Sequence, residues 1–263
     1  MKTKHYFFLL LVLISINLPA QFLIPIIIPY EGYKCHSKDE IARDYYRKAV
    51  DNFYKNVPAS IAYFKGAIAR DKYFCDAYFG LIQPYKKNQE FDKALEQVNL
   101  ALDLNALDPW LVKQKGFLLF RTGEYHKAAN YYDSLSRLQP RGTLWQFLLA
   151  ESLIKLNLLD SAKKITMQME YIEGHLEGAD GNSYSLLLQG KIYCHLKDYK
   201  TALKAFDLIK DEFKQRPDFN YYYGLVLLNK EDANEKKALR YFRKAKRKGY
   251  YDFDPKIEAL LNR

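Results

Sequence analysis

The side chains able to do acid–base, nucleophilic or metal chemistry are scattered through this sequence. Its histidines, among them His36, His126, His175 and His195, share no HExxH or other metal spacing. Cys35, Cys75 and Cys194 form no CxxC pair, which excludes a zinc ribbon or a redox dithiol motif. There is no GxSxG elbow, Walker loop or GxGxxG turn. A DGNS stretch within 172–183 has the opening of a calcium loop but none of its later ligands. These absences predict no catalysis, no cofactor and no metal. The chemistry left is recognition by charge and by rings. Eight cations, Lys236, Lys237, Arg240, Arg243, Lys244, Lys246, Arg247 and Lys248, fall within thirteen positions. Such a run suits nucleic acid, anionic lipid or an acidic partner. Tyr241, Phe242 and Ala245 lay an apolar stripe along the same stretch, so the preferred reading is a solvated face of an amphipathic helix.

The elements that must carry these groups are helical. Glycine (12) and proline (9) are sparse in 263 residues, and 49% of positions are apolar, which supplies a core without the punctuation of a β fold. A net charge of +10 favours acidic partners or anionic surfaces. Ser60, Ala94, Ala128 and Ala162 recur every 34 residues, and a fixed period of this size marks a stack of helical units. Around each small residue the apolar positions keep helical spacing, as in Phe91, Ala94, Val98 and Ala101. Asn88, Gly123 and Asn157 are expected to take the turns between paired helices. Between Ala162 and Ala202 the interval grows to 40, the excess falling in the glycine- and acid-rich YIEGHLEGADGNS, read as a loop. The last unit, with Gly224, Ala238, Phe242 and Ala245, has a longer internal turn, and Asp254-Pro255 opens a short helix to 261.

The unit WLVKQKGFLLFRTGEYHKAANYYDSLSRLQP resembles a tetratricopeptide repeat. Gly116 and Ala128 fill the family's small positions, Tyr125 and Tyr132 its aromatic positions, and Pro140 its closing proline. The resemblance covers about 41–253, the last unit being similar to longer helical-repeat relatives, with 254–263 as a capping helix. It implies an all-α, right-handed superhelical array of about six helix-turn-helix repeats that binds a protein or peptide in its concave face. Carrying the family's concave positions onto this chain gives Phe79, Trp110, Lys113, Phe117, Phe120, Arg121, Phe147, Tyr184, Lys191 and Tyr221 as partner-binding candidates. Aromatic rings beside Lys and Arg suit an extended peptide with apolar and acidic groups. Packing between repeats is the competing role for each, Phe120 above all. The family's clamp for a C-terminal carboxylate is absent, because Phe79, Gln83, Gln114, Leu144 and Leu148 stand where its Lys and Asn would be.

At the N terminus a short basic start precedes an apolar run and a small residue at Ala20, the pattern of a cleaved signal peptide over 1–20. Phe7–Tyr30 is also uncharged and long enough to span a bilayer, so an anchor over 7–30 is the alternative, with 21–40 as an apolar linker. Both readings send the repeats across a membrane, to a periplasmic, cell-envelope or secreted location, and there no nucleic acid partner is expected. Membrane association would run through residues 7–30. An exported chain would allow a Cys35–Cys75 bridge; the reading preferred from spacing is three isolated, mostly buried thiols.

Overall fold

A computed structural model describes residues 35–104, 108–140, 142–173 and 183–262. The signal or anchor expectation for 1–30 and residues 174–182 of the expected loop lie outside the described residues, while the ends of that stretch, Tyr171–Glu173 and Ser183, belong to helices. Thirteen helices and no strand occur among the described residues. They are α1 Glu40–Asn52, α2 Val57–Arg70, α3 Cys75–Lys87, α4 Phe91–Leu104, α5 Pro109–Arg121, α6 Tyr125–Leu138, α7 Thr143–Lys155, α8 Leu159–Glu173, α9 Ser183–His195, α10 Tyr199–Phe213, α11 Pro217–Asn229, α12 Glu235–Arg247 and α13 Pro255–Leu261. Successive pairs make helical hairpins. Two compact units result, residues 35–209 and residues 210–262, with the boundary inside α10.

The helix starts follow local chemistry. Asp39, Asn56, Asp108, Asn234 and Asp254 each accept a backbone N–H of the first turn of the helix that follows. Prolines at the openings of α2, α5, α11 and α13 occupy positions whose N–H groups have no helical partner. The turns inside the hairpins are also regular. Gln89, Gly123, Asn157 and Lys197 take positive φ (61°, 82°, 58° and 60°), each fifteenth in its repeat. After each, a backbone N–H bonds the carbonyl five residues back, at 2.9 Å in all four: Glu90 to Tyr85, Glu124 to Leu119, Leu158 to Leu153, Asp198 to Tyr193. The turn residue of the second hairpin is therefore Gln89; Asn88, expected there, keeps a negative φ of −81° and serves as the cap before it.

The recurring small residues sit where helices touch. Ser60, Ala94, Ala128, Ala162 and Ala202 in the larger unit, and Ala238 in the smaller, have no exposed surface. Ser60 also donates its hydroxyl to the Ala49 carbonyl at 2.8 Å, joining α2 to α1. A second rule couples the two helices of a hairpin by side-chain size. The ring of Tyr132 lies against Gly116, and the ring of Phe206 against Gly190, so closely that a Cβ on either glycine would stand 2.4 or 2.3 Å from the ring. In the fourth hairpin the corresponding positions hold Ala150 and Thr166, both buried, so a larger small residue goes with a smaller partner position. The volume across the crossing is conserved by exchange between the two helices.

In the smaller unit Phe242 of α12 lies on Gly224 of α11 in the same manner, and Tyr223 stacks near Tyr241 with ring centroids 4.7 Å apart. Residues after α12 fold back: Tyr250 lies 4.4 Å from the Tyr221 ring, Phe253 meets that ring edge-on, and the Tyr221 hydroxyl accepts the Asp254 N–H at 3.3 Å. Ile257 of α13 is buried, which makes this helix a cover for its unit.

Candidate partner-binding surface

The first helices of the larger unit carry an aromatic motif that repeats every second hairpin. Phe79 on α3 packs against Trp110 on α5, centroids 5.7 Å apart, and Phe147 on α7 meets Tyr184 on α9 edge-on at 5.4 Å. Each bracket joins the fifth residue of one repeat to the second residue of the next. Phe79 and Trp110 are both half-buried, while Phe147 is buried and Tyr184 is 45% exposed. Beside the first bracket, Lys86 donates to the Gln114 side-chain carbonyl at 2.6 Å and stands 4.9 Å from the Phe117 ring centroid. Burial pushes the Lys86 ammonium down to about 8. Lys113 is exposed and Phe117 half-buried. Phe79, Trp110 and Phe117 thus keep partly open rings along α3 and α5, with the Lys113 cation exposed beside them and Lys86 largely covered.

Farther along, the polar groups are turned inward. Lys191 is 1% exposed and its ammonium meets Glu151 at 2.6 Å, with the Phe147 ring 5.9 Å away. His195 keeps exposed surface, but partial desolvation first, then the Lys155 and Lys191 charges, holds its imidazole below its ordinary value. Burial likewise pushes the Cys194 thiol up, which makes it a poor nucleophile.

Several candidates from sequence therefore need correction. Lys191 is committed to a buried pair that joins α9 to α7 and has no surface for a partner. Phe147 and Tyr221 are buried, the first beneath Tyr184 and the second beneath Tyr250 and Phe253. Phe120 packs on Tyr125 of α6 at 5.2 Å, and the Arg121 guanidinium lies 4.4 Å from the Phe91 ring of α4, so both serve contacts to second helices. Their place at the end of α5 turns them toward the neighbouring helices, which helical spacing by itself does not reveal.

A feature that the spacing argument passed over lies just before α1. Cys35 is joined to Cys75 in a disulfide, with Cα atoms 5.4 Å apart, correcting the preferred reading of isolated thiols. The next residues are held as well. His36 pairs with Asp76 at 2.5 Å, Ser37 donates to Asp71 at 2.5 Å, and Asp39 pairs with Arg70 at 2.8 Å. Asp76, second in its repeat, is nearly covered by this strap. Burial raises its carboxyl above the usual range, and the neighbouring His36 opposes that rise. The expectation of export did admit this pairing; what decided it is the return of residues 35–39 along the α2–α3 turn.

Chain comparisons agree with this architecture. No protein-family model matches the chain. Over 177 residues it is 24% identical to anaphase-promoting complex subunit 3 of Schizosaccharomyces pombe, covering 67% of this chain and 24% of that protein. Over 80 residues it is 39% identical to tetratricopeptide repeat protein 21B of Xenopus laevis, covering 30% of this chain and 6% of that protein. The chain thus spans about a quarter or less of the length of either relative. The crystal structure of a tetratricopeptide repeat protein from Parabacteroides merdae superposes with a TM-score of 0.58 at 14% identity, covering 85% of this chain and 98% of that one. The fold is that of the tetratricopeptide repeat. In its terms, the brackets are contacts between successive repeats, and Lys86 sits where a first helix ends.

Among the described residues no group of His, Cys, Asp and Glu is disposed to hold a metal ion, and no helix is long and apolar enough to cross a membrane. In the smaller unit α12 presents its cations outward. Lys236, Lys237, Arg240, Arg243, Lys246 and Arg247 are exposed, while Lys244 and Lys248 are half-buried. Burial, then the charges of Lys248, Lys214 and Arg247, lowers the Lys244 ammonium.

Proposed function

We propose that this tetratricopeptide-repeat chain is a protein-interaction scaffold, exported across a membrane, that holds a protein or peptide partner on the first-helix face of its larger unit. The observation that carries the reading is the cluster of half-buried rings and cations on α3 and α5: Phe79 beside Trp110, Phe117 beside Lys86, and exposed Lys113. Partly covered rings anchor an apolar side chain at small entropic cost, and adjacent cations favour an acidic neighbour. Anaphase-promoting complex subunit 3 is by its name a member of an assembly, which accords with a scaffold. Export draws support from the basic and apolar start of the sequence and from the Cys35–Cys75 disulfide, since such bonds persist in oxidising compartments. The envelope-associated complex is part of the same proposal.

The test is a crosslinking pull-down from native envelopes with the intact chain and with Trp110→Ala and Phe117→Ala. Loss of the same partners from both variants supports the reading, and undiminished recovery would exclude this face as the main contact. Fractionation with N-terminal sequencing tests export; a chain recovered from the cytosol with Met1 intact refutes it.

A second reading has its own observation. The unneutralised charge of α12 favours an accessory subunit, held at a membrane through residues 7–30, that acts through its second-helix, basic face.

A further inference from the structure

Several exposed cations of the larger unit have acidic neighbours close by in sequence, and those that have none are scattered singly or in pairs. Lys48 meets Asp44 on α1, Lys127 meets Glu124 and Arg137 meets Asp133 around α6. In the smaller unit, Lys214, Arg216 and Lys230 also have carboxylates. The eight cations of residues 236–248 have none among the described residues. Fold stability does not account for them. Positive charge in the last turn of a helix is favoured by its dipole, which covers Lys244, Lys246 and Arg247. Lys236 and Lys237 stand in the first turn, where the same dipole opposes them. Arg240 lies four residues after Lys236 and three before Arg243, and like charges at these spacings repel across a helix surface. The stripe that does stabilise α12, namely Ala238, Phe242 and Ala245, is buried against α11.

We propose that the exposed face of α12 is an electrostatic docking strip for an anionic phospholipid surface. The helix runs about 20 Å at 1.5 Å per residue, comparable to several headgroups in a row. Its outward arc offers charge and little apolar surface, whereas a specific protein interface is built around an apolar or aromatic core. A lipid surface asks only for density of positive charge, and clusters of four to eight Lys or Arg on a helix satisfy that. The choice of lipid over a nucleic-acid backbone rests on the reading of Phe7–Tyr30 as a signal or anchor, each of which brings the chain to a bilayer. Because the apolar face of α12 is used inside the fold, docking is superficial and sensitive to salt.

The experiment is co-sedimentation of the full chain with vesicles of phosphatidylcholine alone or with about 30% phosphatidylserine. Any apolar contact made by residues 7–30 is common to both kinds of vesicle, so the excess on anionic vesicles reports charge. At about 0.1 M salt that excess is expected to be about tenfold, and to vanish at about 0.5 M. The variant Lys236→Gln/Lys237→Gln/Arg240→Gln/Arg243→Gln should lose it while melting no earlier than the parent. If that variant melts early, Lys246→Gln/Arg247→Gln, changed at the far end of the strip, should reduce the excess. Equal binding to both vesicles, an excess indifferent to these substitutions, or tighter retention on duplex DNA or polyglutamate at equal charge concentration would overturn the proposal. None of these outcomes bears on the first-helix face, which the pull-down tests separately.

Discussion

Lys86 is a cation in a place that resists charge. Its neighbours are an amide oxygen and the face of a ring, and burial holds it at about 8 against 10.5 for a solvated lysine. Below pH 8 both folded and unfolded chains carry the proton, and the folded state bears the full cost of the buried charge. Between 8 and 10.5 the unfolded chain binds more protons, so this site's contribution to stability rises with pH. Relative to Lys86→Met, the native protein should therefore gain about 3 kcal/mol between pH 7 and pH 10.5, measured by urea unfolding. A difference that stays flat with pH would mean the ammonium is solvated. A partner carboxylate at this spot would hold the proton on, so acidic ligands should bind best below pH 8. The desolvation of Lys86 was not legible in the sequence, because Phe117 and Gln114 arrive from the next repeat.

At the scale of the helical hairpin, the controlling quantity is the volume shared by two crossing helices. Gly190 faces the Phe206 ring with no room for a methyl group. Gly190→Ala is expected to cost about 1–3 kcal/mol by overpacking, although alanine is the better helix former. Adding Phe206→Leu should return part of that loss, since the shorter side chain withdraws from the new Cβ. Thermal melts of the single and double variants check this, and a double variant less stable than both singles would place the strain elsewhere. The small residues and their period were readable from the sequence at Ser60, Ala94, Ala128 and Ala162, because a crossing admits nothing larger. The left-handed residue fifteenth in each repeat was readable at Gly123 and Asn157. It was misplaced by one at Gln89, where glutamine accepts a conformation that the neighbouring Asn88 seemed better suited to hold.

For the whole molecule, the terminal repeat matters most, since one of its sides has no neighbour to cover it. In the larger unit the first repeat is tied to the second by the strap of residues 35–39, with its disulfide and three polar contacts onto α2, α3 and the turn between them. The bond closes a long stretch of chain, α1 and α2 included. Reduction, or Cys35→Ser, should lower stability by about 2–4 kcal/mol. Calorimetry with and without a dithiol reductant is the measurement: reduced native protein should melt with the variant, and indifference to reductant would show that the bond does not form. Gly190→Ala lies far from the strap in sequence, and in a repeat array its effect should add to that of reduction.

The 34-residue period, the all-helical class, the buried small residues and the charge of α12 follow from the order of amino acids, because each depends on spacing within one helix or one hairpin. The disulfide, the Glu151–Lys191 pair and the aromatic brackets depend on which residues of successive repeats meet. That is a matter of how one hairpin is rotated on the next, and periodicity carries no value for that rotation. Phe147 and Phe79 hold the same position 68 residues apart, yet one is buried and the other half-open. Only the packed neighbours separate an anchor for a partner from a strut of the fold.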